Sequence, residues 1–154
     1  MVNIARQPLL VLSAVLLSCG AWGCSRSQTA AVTEPETPTS RNLIQIGHAY
    51  MQYISQKKTL PTGPKDLLPL LKAAGDPEAM LRSDRDNQPL VICWGVDTRR
   101  PPSWATSTPV LGYEKQGVSG SRYVLYMSHG MRVKLMSEAE FRKASFPPGH
   151  TPEF

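Results

Sequence analysis

The apolar run at positions 9–17, LLVLSAVLL, is broken only by Ser13, and a polar stretch begins soon after it ends. The run is too short to span a bilayer as a permanent helix, which takes about 20 residues. Behind Arg6 it has the form of a signal-peptide apolar region. Residues 25–39, SRSQTAAVTEPETPT, contain no large apolar group and cannot bury enough surface to offset their ordering entropy. The first third of the chain is therefore set aside from the core, and about a hundred residues remain, enough for one small domain. Fourteen prolines limit the regular structure further.

Leu16-Leu17-Ser18-Cys19 resembles the lipobox of bacterial lipoproteins: an apolar residue, a tolerant position, a small residue and a cysteine. The thiol would take a diacylglycerol, and the small Ser18 would let a signal peptidase cut just before Cys19. Ala21-Trp22-Gly23-Cys24 is the alternative, with a bulky Trp22 farther from the apolar run. An ordinary secretory signal with two incidental cysteines is the third reading. The expected layout is a signal peptide at 1–18, a lipid-anchored flexible stalk at 19–39, a folded domain at 40–146 and a Pro-rich tail at 147–154. Acyl chains such as palmitate would hold the protein to a bacterial membrane, facing the periplasm or the cell exterior. Inner and outer membrane are not distinguished. With Cys19 acylated, Cys24 and Cys93 remain, and nothing fixes the first near the second.

The formal charge is +5, and removing the segment before Cys19 takes away one basic residue, Arg6. Basic residues are scattered, with no run longer than the pairs Lys57-Lys58, Arg99-Arg100 and Arg142-Lys143. Nucleic-acid binding calls for a concentrated basic stripe, so no nucleic-acid partner is expected.

Leu43, Ile46, Gly47, Tyr50 and Ile54 recur at helical spacing, with Ser40 as N-cap and Lys57 and Lys58 near the C-terminus. A second helical stretch covers 64–74, where Pro69 predicts a bend or two short pieces. Residues 84–89, DRDNQP, read as a turn. Residues 90–94, LVICW, are apolar on both faces and read as a central strand. A long loop at 97–108 and a strand at 110–113 follow. Strands at 122–127 and 131–135 flank Ser128-His129-Gly130 as a hairpin, which makes His129 and Gly130 turn residues. Ser137 and Glu140 have capping-box spacing and open a last short helix. The fold class is α+β: one long N-terminal helix packed on a small antiparallel sheet, with a short C-terminal helix.

Two blocks carry a family resemblance. NLIQIGHAYMQY at 42–53, followed by Leu60-Pro61, and GSRYVLYMSHGMRVKLMSEAE at 120–140 resemble the first helix and terminal hairpin of planctomycete type II secretion pseudopilin-like proteins, the H-x9-DG-type prepilin-like domains. With the strand between them, they cover roughly two thirds of the chain. The resemblance implies a pseudopilin-like fold and no catalytic residue, and fold alone does not assign function. Here a lipobox and polar stretch stand in place of the pilin N-terminal helix, and His129-Gly130 stands in place of Asp-Gly.

No local spacing assembles a reactive site. His48, His129 and His150 lie on different elements, and Cys93 has no partner at zinc spacing, so neither metal nor cofactor is expected. His48 is expected at a helix flank, His129 at a loop tip and His150 in solvent. Asp84, Asp86, Asp97 and Glu114 could supply acid–base carboxylates, yet no spacing forces a pair together. Among Trp94, Trp104, Tyr113, Tyr123 and Tyr126, Trp104 is the candidate ligand contact, because it stands in a polar, Pro-rich loop. Its alternative role is to cover a sheet edge. The expected function is a non-enzymatic, lipid-anchored interaction or structural role, beside a secretion or envelope assembly, with a protein or polysaccharide partner and the oligomeric state open. The alternative is a small enzyme, or an accessory subunit of one, acting on envelope polymers.

Overall fold

The computed structural model describes residues 36–99, 108–126 and 131–153. They form an α+β domain with a four-stranded antiparallel sheet in the order β1-β2-β3-β4: β1 Val91–Ile92, β2 Val110–Tyr113, β3 Ser121–Tyr126 and β4 Arg132–Ser137. Among the described residues no helix is long and apolar enough to cross a membrane.

Helix α1, Pro38–Lys57, buries Leu43, Ile46, Gly47, Tyr50 and Ile54, the positions its periodicity marks. It begins two residues before the expected Ser40. Thr37 is the N-cap, Pro38 fits the first turn, and Ser40 is the third helical residue of a capping box with Thr37. The N–H of Ser40 donates to Thr37 Oγ1 at 3.2 Å and the N–H of Thr37 to Ser40 Oγ at 3.1 Å. Helix α2, Pro64–Ala74, runs unbroken through Pro69 and is not divided into two short pieces. Pro69 is exposed, so water can satisfy the carbonyl its missing N–H leaves. A single turn, α3 at Pro77–Met80, follows.

The apolar segment at 90–94 is not a central strand. Only Val91 and Ile92 pair, and β1 is at the edge of the sheet. Its two-sided apolarity has another cause. Ile92 joins the cluster of Leu43, Ile46, Tyr50, Leu111 and Leu125 on one side, while Val91 packs on the other with Val110, Tyr113, Val124, Met136 and Phe141. Both faces of the sheet are thus covered. Strands β3 and β4 pair from Ser121↔Ser137 to Tyr126↔Arg132, as the hairpin reading requires. Ser137 and Glu140 form the expected capping box, which opens α4, Glu138–Phe141.

Candidate functional site

Three of the four carboxylates singled out in the sequence come together through contacts that local spacing does not encode. Glu114, fully buried at the end of β2, accepts from Ser83 Oγ at 2.7 Å, Arg85 Nη1 at 2.8 Å and the N–H of Tyr123 at 2.7 Å. Ser83 Oγ in turn accepts from the N–H groups of Arg85 and Asp86 and lies 3.2 Å from Thr39 Oγ1. Asp84 accepts from the N–H and hydroxyl of Thr39, at the first turn of α1. Asp86 accepts from the N–H groups of Gln88, Gln116 and Gly117. Although burial alone would raise the Asp86 pKa, these N–H donors hold it below the ordinary carboxylate value. Each carboxylate is therefore engaged by donors that join α1, the 83–88 turn and the β2–β3 connection. Asp97 stands apart and chelates Arg99 through both of its oxygens.

Arg122 is the buried cation of the second sheet face. Its guanidinium donates to the carbonyls of Lys115 and Glu153 at 2.9 and 3.2 Å and to Glu138 Oε2 at 2.6 Å, and it lies 4.2 Å from the Phe141 ring centroid. Nothing in its sequence neighbourhood marks this role.

His150 is half-buried rather than in solvent. It packs between Tyr113 and Phe146 at 5.8 Å from each ring, with Nε2 3.0 Å from the Tyr113 hydroxyl. The Tyr113 oxygen accepts from the N–H of Glu153, which leaves its proton for Nε2 of a neutral imidazole. Burial lowers the His150 pKa below 6.5, against the opposing pull of Glu153, itself paired with Lys115. A proton thus enters the unfolded chain more readily than the folded one. The stability from this clasp is complete above about pH 6.5 and is lost as pH falls through the lowered folded value. The expected result is a melting temperature lower at pH 5 than at pH 7.5, with a smaller difference in His150→Gln. An equal difference in both proteins would place the titration elsewhere.

Beside β4 and α4 the second sheet face opens into a groove of about 570 Å³. Tyr126, Met136 and Ala144 give it apolar walls, and Arg132, Lys134 and Lys143 are cations along it. Alternation on β4 puts Arg132, Lys134 and Met136 on one side of the strand. This period-two placement of basic residues in RVKLM is the signal that could have found the groove. Lys134 Nζ is 3.0 Å from Glu140, whose carboxyl is pushed down to about 2 by the Ser137 N–H and Lys134. The Tyr126 hydroxyl donates to Met136 Sδ at 2.7 Å, and burial raises its pKa, so it remains a donor.

Among the other candidates, His48 is exposed on α1, and Cys93 is buried, with its thiol pushed up to about 12. Tyr113 and Tyr123 are buried, and Trp94 is half-buried, stacked 6.2 Å from Tyr50. Cys19, Cys24, Trp104, His129 and Gly130 lie outside the described residues. Among the described residues, no three His, Cys, Asp or Glu gather as a metal site. Comparison with protein-family models, with curated proteins and with solved structures finds no match.

Proposed function

We propose that this chain is an exported lipoprotein, anchored through Cys19 to a bacterial membrane and facing away from the cytoplasm, whose domain acts by binding rather than by catalysis. The domain is read as pseudopilin-like, with one long N-terminal helix over a small antiparallel sheet and a short C-terminal helix. The observation that carries the binding role is the engagement of Asp84, Asp86 and Glu114 by structural donors, while the open groove presents cations and apolar side chains. General acid–base chemistry needs a titrating group within reach of substrate, and those carboxylates are committed to holding loops together. An interaction role beside a secretion or envelope assembly fits such a domain on a lipid tether.

The address is tested by metabolic labelling with a fatty-acid analogue. Cys19→Ala is expected to abolish both labelling and signal-peptide removal, while Cys24→Ala retains both. Labelling that persists in Cys19→Ala and disappears in Cys24→Ala would move the anchor to the second cysteine. Labelling of neither the original protein nor the variants would end the lipoprotein reading.

A further inference from the structure

We propose that the groove beside β4 and α4 binds an acidic peptide segment of a partner protein, with an apolar side chain seated against Tyr126 and Met136 and flanking carboxylates on Arg132 and Lys143. This deepens the binding role proposed above and rests on it. Two observations select the occupant.

The first is charge. Among the described residues, neither Arg132 nor Lys143 has an ion-pair partner, and both are exposed. Glu140, the one carboxylate lining the groove among the described residues, is already engaged by Lys134 and by the N–H and hydroxyl of Ser137. The groove therefore presents excess positive charge. Arg132 comes from the start of β4 and Lys143 from the turn after α4, and the Lys134–Glu140 pair joins these two elements. A compact anion such as phosphate calls for donors that converge on one point. Cations supplied from separate elements along an open groove suit carboxylates spaced along a chain.

The second is the Tyr126 hydroxyl. Its partner is a thioether sulfur, a weak acceptor. A peptide carboxylate or carbonyl oxygen reaching the groove would be a stronger one, so the hydroxyl can turn to it at little cost. The apolar walls of Tyr126, Met136 and Ala144 lie beside it, and the volume is within the range of specific ligand sites. An apolar anchor between two acidic residues satisfies all three features together. A flat anionic membrane surface would meet the rim cations and leave the concave apolar part unfilled.

The test uses the chain from residue 19 onward carrying Cys19→Ser and Cys24→Ser, so that neither an acyl chain nor the apolar run at 9–17 meets the vesicles and failure here is distinct from failure of the lipoprotein reading. A short fluorescein-labelled peptide alternating glutamate and leucine is titrated by anisotropy, beside one alternating lysine and leucine and beside phosphatidylglycerol vesicles. Saturable binding of the acidic peptide alone is expected, weakened about tenfold by Arg132→Glu, about tenfold by Lys143→Glu, and also reduced by salt. Both positions are exposed, so the melting temperature of these variants should be unchanged. Tyr126→Phe keeps the ring and should weaken binding less than either charge reversal. Three results would overturn the proposal: no saturable binding of the acidic peptide, binding that survives both reversals, or vesicle binding lost on reversal with the peptide ignored. The last would make the face a membrane contact.

Discussion

Glu114→Ala is expected to destabilise the domain by about 3 kcal/mol, measured by denaturant melts of the full chain. Breaking a buried ion pair from one side costs about 3–5 kcal/mol, because the surviving charge has lost its partner. Arg85 keeps 19 % of its side-chain exposure, so water recovers part of that loss and the lower end applies. The hydroxyl of Ser83 and the N–H of Tyr123 lose their acceptor in the same step. Glu114→Gln keeps one carbonyl oxygen and should recover part of the difference, though its NH₂ group then faces a donor. A loss below about 1 kcal/mol for Glu114→Ala would mean that the network contributes no more than a single ordinary hydrogen bond.

A comparable loss is expected at Gly117. Its φ is +71°, and a Cβ built there would lie 2.4 Å from the Ser121 carbonyl oxygen and 2.8 Å from Arg122 Cβ. Left-handed backbone costs a side-chain-bearing residue about 1–2 kcal/mol, and overpacking against groups that cannot yield adds about 1–3 kcal/mol. Gly117→Ala should therefore cost about 2–5 kcal/mol. Gly120 is the control, since its φ is +70° but a Cβ would meet nothing within 4 Å. Gly120→Ala should lose only the backbone part. Equal losses at the two positions would show that the loop shifts freely and that the close approach to Ser121 is not constraining. The Gly117 N–H also donates to Asp86, so displacement of this loop would strain the carboxylate network as well.

What could be read in the sequence follows the range of the forces involved. The buried stripe of Leu43, Ile46, Tyr50 and Ile54 and the Ser137–Glu140 capping box depend on residues three or four apart, so their signals are local. Strands β3 and β4 show themselves through short apolar-rich segments around turn residues. The 90–94 segment misleads because apolarity on both faces reports cover on both faces and says nothing of how many strands stand alongside. The Glu114 network joins Thr39, Ser83, Arg85 and Tyr123, and no periodicity encodes such separations. His150 lies in a Pro-rich stretch that reads as solvated, yet Phe146 packs with Tyr113 and Phe141 and leads the chain back over the sheet. The groove cations show in the sequence as the period-two placement of Arg132 and Lys134 and as half of the pair Arg142-Lys143, and neither pattern reports the concave apolar surface beside them.

The junction at Thr39 has a mechanical meaning. Both the backbone and the hydroxyl of Thr39 are held by Asp84, and Ser83 carries the connection on to Glu114 at the end of β2. A pull arriving along the chain from the N-terminal side would load these bonds before it reached the turns of α1. If the proposed tether exists, the first turn of α1 would act as a strain relief, passing tension into the 83–84 turn and on toward the end of β2, on the sheet face opposite the groove.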